Sequence, residues 1–192
     1  MSEQSILEDL AASGALRKGH FRLSSGRHSD TYVQCSQLLK DPSRAIAAGR
    51  MLAECVSREV GEVDAVLSPA LGALLIGFTT ALALDRDMLF AERVGGRMSL
   101  RRGFALEPGM RVLLVEDVIT TGGSILELAR LVEEAGARAA ALGCIVDRGG
   151  LAEPGYPLVS LAAVKADSFE PDECPLCARG VPIDSPGSRY TS

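Results

Sequence analysis

Hydrophobic positions along this chain change their period near residue 62. Before it, residues 6–16 predict a short amphipathic helix with Ile6, Leu7, Leu10 and Ala11 on one face and Gly14 near its end. Residues 21–34 carry Ser, Gly, Arg, His and Asp ahead of Tyr32-Val33 and predict a turn entering a strand. Asp41-Pro42 is an N-cap followed by a first-turn proline, and Ala45, Gly49, Leu52, Ala53 and Val56 mark a buried helical stripe running up to Gly61. Beyond Gly61, strand and helix alternate. Residues 63–67 predict a strand, 68–72 a turn, 73–84 a helix apolar nearly all round, and 88–91 the next strand. Residues 92–108 are long, glycine-bearing and basic with no apolar face, which predicts a mobile loop or a weak hairpin. A continuous apolar strand at 112–115, a helix at 125–135 and a second apolar strand at 139–146 follow. Strands apolar on both faces and separated by helices predict a parallel sheet covered on both sides, so the fold class is α/β, doubly wound, with a mainly parallel central sheet.

The periodicity weakens after Asp147, and Pro171, Pro175, Pro182 and Pro186 mark an irregular tail. The expected organisation is a helix and hood segment at 1–40, an α/β core at 41–170, and a Pro-rich tail at 171–192 packed on that core. A length of 192 residues suits one domain with a small appendage, and 47% hydrophobic content is enough to build a sizeable core. Trp is absent and aromatics are 4%, so Ala, Leu, Val and Ile must fill it. A net charge of −5 argues against nonspecific nucleic-acid binding. The longest apolar run, 70–84, is interrupted by Gly72, Gly77 and a Thr pair and is too short for a bilayer, so no membrane is expected. The first ten residues carry Glu3, Glu8 and Asp9 without a basic residue, unlike a secretory signal. Five cysteines, with Cys35, Cys55 and Cys144 scattered, suit a reducing cytoplasm better than a disulfide framework.

The stretch Val112-Leu113-Leu114-Val115-Glu116-Asp117-Val118-Ile119-Thr120-Thr121-Gly122-Gly123-Ser124 carries the most chemistry. A buried strand delivers two adjacent carboxylates, then a hydroxyl- and glycine-rich turn, then a helix. Backbone N–H groups of such a turn, with the positive end of the following helix, suit a phosphate monoester. The acids would repel that phosphate, so they face something else, and a ribose diol or a metal-associated sugar is the natural partner. A purely structural reading, in which the acids cap a helix and the glycines make a tight turn, remains open. No Gly-Lys-Ser/Thr follows, which excludes a Walker A loop, and the dinucleotide fingerprint G-x-G-x-x-G is absent.

This segment resembles the phosphoribosyl diphosphate (PRPP) motif of type I phosphoribosyltransferases. Three further segments narrow the resemblance to the orotate-using members: Leu23-Ser24-Ser25-Gly26-Arg27-His28-Ser29-Asp30-Thr31-Tyr32, Ser68-Pro69-Ala70-Leu71-Gly72 and Ile145-Val146-Asp147-Arg148. The closing Pro186-Gly187-Ser188-Arg189 is similar to tails on some bacterial members. The resemblance implies transfer of the phosphoribosyl group from PRPP to orotate through an oxocarbenium-like transition state, with no side-chain nucleophile. It implies that Glu116 and Asp117 bind the ribose hydroxyls and, with Arg97, form the catalytic set. Val118, Ile119, Thr120, Thr121, Gly122, Gly123 and Ser124 would surround the 5′-phosphate, while Arg93, Arg97 and Ser99 would meet PRPP from the basic loop. Orotate would be met by His28, Tyr32, Thr120 and Arg148, the last through the carboxylate. Mg²⁺ is implied through substrate oxygens with no direct protein ligand, and a homodimer in which the basic loop reaches the neighbouring active site.

Some residues depart from the family pattern. The loop contains neither Lys nor His, and Arg97 stands where the catalytic lysine would fall. His28 stands where that segment often carries a lysine, and the Ala70–Gly72 turn lacks one. A solvated basic loop and a surface ion pair are the structural alternatives for the loop arginines and Arg148. Another PRPP-using enzyme and a non-enzymatic PRPP- or nucleotide-binding regulator stay open as functions. Cys174-Pro175-Leu176-Cys177 has the spacing of half a zinc site. A structural zinc needs four ligands, and no second Cys pair or nearby His accompanies it along the chain, so the pair reads as a reduced structural C-x-x-C, with two chains each donating a pair as the alternative. His20 reads as a turn residue.

Overall fold

A computed structural model describes residues 3–23 and 25–186. Ser24 of the hood segment and Gly187, Ser188 and Arg189 of the closing motif lie outside the described residues.

Helix α1 (Glu3–Ala12) buries Ile6 and Leu10 and ends before Ser13-Gly14, where Gly14 takes φ +74°. The helix is displaced toward the N-terminus from residues 6–16, because Leu16 already opens a strand. Strands β1 (Leu16–Arg22) and β2 (His28–Val33) form an antiparallel hairpin. The short helix α2 (Ser36–Leu39) leads to α3 (Pro42–Glu59), whose Asp41 cap accepts hydrogen bonds from the N–H groups of Ser43 at 2.9 Å and Arg44 at 3.4 Å. That cap and the Pro42 start are as the sequence predicts.

The core then follows as β3 (Ala65–Pro69), α4 (Leu74–Leu84), β4 (Asp87–Val94), β5 (Arg97–Leu100), β6 (Arg111–Ile119), α5 (Gly123–Glu134), β7 (Arg138–Asp147) and β8 (Leu158–Ala163). These six strands lie in the order β5-β4-β3-β6-β7-β8. Every neighbouring pair is parallel except β4 with β5. The expected α/β, mainly parallel architecture is therefore present, with a small hood and an irregular tail. Alternation along β6 shows how it is held. Leu113 and Val115 join the core made with α3 and α4, while Val112 and Leu114 join Ile125, Leu128 and Val132 of α5 on the other face. Both faces are dry, which is why the strand reads as an unbroken apolar run.

The chain steps from β3 outward to β4 and returns on the other side of β3 as β6, so the order reverses between them. A crevice opens at the carboxyl ends of strands flanking such a reversal. Strand β9 (Ser168–Phe169) pairs with β2 and extends the hairpin to three strands. A 3₁₀ turn (Pro171–Glu173) and α6 (Pro175–Ala178) follow. The described part of the tail meets the hairpin. Arg22 N–H donates to Asp184 O and Asp184 N–H to His20 O, both at 2.8 Å, and the Arg17 guanidinium pairs with the Asp184 carboxylate at 2.7 Å. No helix among the described residues is long and apolar enough to cross a membrane.

Candidate functional site

Strand β6 does not stop at Val115. It remains paired with β7 through Glu116↔Cys144, Val118↔Val146 and Ile119↔Asp147, so both acids lie within its final turnless stretch. Thr120, Thr121 and Gly122 then turn the chain into α5. Gly122 takes φ +77°, and a Cβ there would lie 2.8 Å from a Leu151 methyl, so both backbone and space demand glycine. Helix α5 has no side-chain cap and no acid in its first turn. Its first N–H groups therefore face a pocket of about 160 Å³ whose walls are Glu116, Val118 and the segment from Ile119 to Ile125. This is the arrangement a tetrahedral oxyanion needs.

Of the two acids, Glu116 lines this pocket, whereas Asp117, beside it on β6, lines neither this pocket nor the larger cleft next to it. Val118 N–H donates to Asp117 Oδ1 at 2.9 Å, and Asp117 N–H to Glu116 Oε1 at 3.4 Å. Burial and the neighbouring Asp117 charge push Glu116 up to about 8, and burial also raises Asp117. Among the described residues no ion-paired Lys or Arg offsets either charge. The turn after β3 approaches from above the same carboxylate: a Cβ on Gly72 would sit 3.5 Å from Asp117 Oδ2. Burial holds the thiols of Cys35 and Cys144 well above the ordinary cysteine value, so neither is a nucleophile here.

A larger cleft of about 720 Å³ opens beside this pocket, and Thr120 and Thr121 line both. Its roof is the β1–β2 hairpin with Arg22, Arg27, Tyr32 and Gln34, and its floor is Arg148 and Gly150. A Cβ on Gly150 would lie 2.6 Å from Thr120 O, so the backbones touch where the two cavities meet. Arg148 is half-buried, and the loss of water lowers its pKa while the Asp30 charge opposes that. It remains a cation, facing a cleft rather than a surface partner. Tyr32 hydrogen-bonds Gln34 and stacks at 5.5 Å on Phe21, and Arg27 pairs with Glu170 and donates to Ser168 at 2.7 Å. The Arg27 contacts fasten the roof to β9 and the segment after it.

The structure thus brings together Glu116, Val118, Ile119, Thr120, Thr121, Gly122, Gly123 and Ser124 around one pocket. It places Tyr32, Thr120 and Arg148 around the adjoining cleft. Arg22, Arg27, Gln34 and Ser168 also line the cleft without being anticipated; Ser168 lies about 140 positions from the hairpin, in a strand of two residues that leaves no periodic trace.

Arg93, Arg97 and Ser99 line neither cavity. Of the two readings of the basic segment, its first part is a hairpin, β4–β5, in register Val94↔Arg97. Gly95 and Gly96 both take positive φ, the two-residue turn whose twist matches paired strands. Glu127 of α5 anchors the hairpin, accepting from Arg93 and from Met98 N–H at 2.8 Å each. Arg97 is exposed beside the turn.

His28 departs from its expected place: it is buried, does not line the cleft, and its Nδ1 lies 3.1 Å from His20 Nε2 and 3.3 Å from Cys177 Sγ. His20 is no turn residue but a buried member of β1. Cys174 and Cys177 are likewise accompanied by two histidines that the fold delivers from more than 140 residues away.

A phosphoribosyl transferase domain matches residues 34–171. The chain is similar to the orotate phosphoribosyltransferase of Chlorobium phaeobacteroides, 45% identical over 193 residues that cover 98% of this chain and 97% of that protein. It is similar to the orotate phosphoribosyltransferase of Caldicellulosiruptor saccharolyticus at 45% identity, covering 98% of each. Among solved structures, the orotate phosphoribosyltransferase of Aeropyrum pernix aligns with a TM-score of 0.72 at 30% identity, covering 83% of this chain and 93% of that one.

The raised Glu116 carboxyl has a consequence for stability. A folded-state pKa near 8 against about 4.5 unfolded means that the folded chain holds this proton more tightly. Its contribution is complete below the unfolded value and disappears as pH rises through the folded one. The ligand-free protein should therefore lose about 1–3 kcal/mol between pH 5 and pH 8.5 through this group, and Glu116→Gln should remove that slope. Denaturant unfolding of parent and variant across this range measures it; parallel curves would refute the assignment.

Proposed function

We infer that this chain, which belongs to the phosphoribosyltransferase family, is an orotate phosphoribosyltransferase that joins orotate to the anomeric carbon of PRPP, releasing diphosphate and forming orotidine 5′-monophosphate. The observation that carries this reading is the shared wall of Thr120 and Thr121 between an anion pocket at the N-terminus of α5 and a hooded cleft with Arg148 in its floor. One ligand with a phosphate at one end and a planar acid at the other fits across that wall.

In this reading the 5′-phosphate sits among the backbone N–H groups and hydroxyls from Thr120 to Ser124. The ribose hydroxyls donate to Glu116, which lines the pocket, and to Asp117 beside it on β6. The orotate ring is covered by Tyr32, and its carboxylate meets the Arg148 guanidinium. Diphosphate then lies toward the Ala70–Gly72 turn, which closes over Asp117. As the orotate nitrogen approaches the anomeric carbon and the bond to diphosphate lengthens, positive charge grows on the ribose ring. The Glu116 and Asp117 carboxyl groups are already in place beside it, so little reorganisation is required at that moment. Glu116 and Asp117 offer the hard oxygen donors that Mg²⁺ prefers, and among the described residues no group of three or more His, Cys, Asp or Glu gathers there, which suits an ion held mainly by substrate oxygens. When bound, Mg²⁺ supplies neutralisation of the diphosphate charge.

A second copy of the chain completes the site in this reading. Leu75, Phe78 and Leu82 lie three and four residues apart along α4 and are 50%, 57% and 61% exposed, with Leu71 beside them at 81%. An apolar stripe of that size suits a self-complementary contact. Arg97, exposed at its hairpin turn, is then free to reach the neighbouring diphosphate, where it contributes charge but no proton. None of the five cysteines is in a disulfide, which supports a reducing compartment.

A base panel tests the reaction: purified protein with PRPP and Mg²⁺, given orotate, uracil, adenine, hypoxanthine or xanthine. Diphosphate should appear with orotate and disappear when Mg²⁺ is left out; release with a purine instead would replace the reading. Arg148→Ala should raise the orotate KM about 10–100-fold, the loss of one charge-assisted pair, with PRPP KM nearly unchanged. Equal effects on both substrates would remove Arg148 from the carboxylate. Phe78→Glu should convert a dimer to a monomer in sedimentation velocity, and an unaltered dimer would place the interface elsewhere.

A further inference from the structure

His20 of β1, His28 of β2, Cys174 just ahead of α6 and Cys177 within it converge at a point that the phosphoribosyl reaction does not use. One ligating atom from each lies within 4.8 Å of all the others. His20 Nε2 is 3.1 Å from His28 Nδ1, 3.5 Å from Cys174 Sγ and 3.7 Å from Cys177 Sγ. Cys177 Sγ is 3.3 Å from His28 Nδ1.

Hydrogen bonding does not account for this crowding. His20 Nδ1 lies 2.8 Å from the Val181 carbonyl, which has no proton to give, so Nδ1 carries the ring proton and Nε2 is left with one lone pair. Three neighbours converge on that lone pair. A single divalent cation resolves the arrangement, because it accepts a lone pair from each of the four atoms.

The distances suit one metal in particular. Zinc–nitrogen bonds of about 2.0–2.1 Å and zinc–sulfur bonds of about 2.3 Å imply tetrahedral edges of roughly 3.4 Å between nitrogens and 3.6 Å between nitrogen and sulfur. The four measured separations, 3.1–3.7 Å, lie around those values. Two thiolates with two imidazoles favour zinc over the hard cations that carboxylates attract. The Val181 carbonyl supplies the outer contact that ligating histidines commonly make, fixing the tautomer that presents Nε2. Four protein ligands leave no open position, which marks a structural site rather than a catalytic one.

We propose that His20, His28, Cys174 and Cys177 bind one structural Zn²⁺ that fastens the C-terminal segment to the hairpin roofing the base cleft. The ion ties β1 and β2 to α6, so the hairpin that carries Arg22, Arg27 and Tyr32 is held at its rear by the tail. This replaces the reading of Cys174 and Cys177 as a metal-free pair, and the site stands whichever base the enzyme uses.

The test uses the full chain, stripped with a chelator under reducing conditions and titrated with Co²⁺ alone and with Zn²⁺ alone. One equivalent of Co²⁺ should bind with the strong visible bands of a tetrahedral site and a thiolate charge-transfer band; Zn²⁺ should displace it and raise Tm. Cys177→Ser should weaken zinc binding more than about a hundredfold, beyond the loss an outer contact causes. Its charge-transfer intensity should fall by about half, one of two thiolates being gone. Cys55→Ser, which removes a thiol elsewhere, should leave stoichiometry and spectrum unchanged. Should Cys177→Ser fail to fold, the spectrum of the parent chain alone decides. Absence of uptake, a weak six-coordinate spectrum, an unaltered spectrum in Cys177→Ser, or a metal-free Cys174–Cys177 disulfide in protein purified without reductant would each overturn the proposal.

Discussion

Two adjacent carboxylates are withdrawn from water at the end of β6, and the rest of the site is arranged around that cost. Burial raises both, and the Asp117 charge makes Glu116 harder still to ionise. A fold concerned only with stability would place apolar residues there, as it does at Val112 to Val115 immediately before. The acids persist at a position where a ligand with hydroxyl donors and an associated cation would relieve them. Such a site binds selectively, because a ligand lacking those groups leaves the cost in place.

The parallel sheet is what separates this negative wall from the positive one. All the carboxyl ends of β3, β6 and β7 point the same way, so the turns that follow them meet in one crevice. The β3 turn covers Asp117 through Gly72; the β6 turn presents the start of α5; the β7 end brings Arg148 beside Thr120. Acids, helix N-terminus and guanidinium are thus a few residues apart in space, with a hydrophobic sheet beneath that excludes water from their supports. Small residues set the tolerances. Gly72, Gly122 and Gly150 each stand where a side chain would fill a gap of under 4 Å between turns.

Local chemistry in the sequence announced most of this. Asp41-Pro42 shows the start of α3 because the cap is completed within three residues. The β6–α5 segment shows its pocket because strand, acid, glycines and helix are contiguous. Gly95-Gly96 allowed a hairpin, although the basic residues around it obscured the strands. What stayed hidden depends on distant partners. β1 is mostly exposed and basic, and becomes a strand only by pairing with β2 and the tail. β9 is two residues long. Strand ends ran past their apolar stretches because backbone pairing with a neighbour, not hydrophobicity, decides where β6 stops. His20 and His28 sit on neighbouring strands, and Cys174 and Cys177 about 150 positions later, so their spacing along the chain matches no metal motif.

The hood is where these two classes of information meet. A two-stranded hairpin is marginal alone, and the third strand that this one gains is only two residues long, with exposed basic side chains at the other edge. The shape of the cleft depends on where Tyr32 and Arg27 are held, since both line it. Stacking of Tyr32 on Phe21 and the Arg27 contacts to Ser168 and Glu170 steady the hood from the cleft side. The Asp184 backbone pairing and the His/Cys cluster steady it through the tail. A tail with little periodicity of its own thereby acquires a defined role: its order comes from the hairpin it binds, and the hairpin's rigidity comes from the tail.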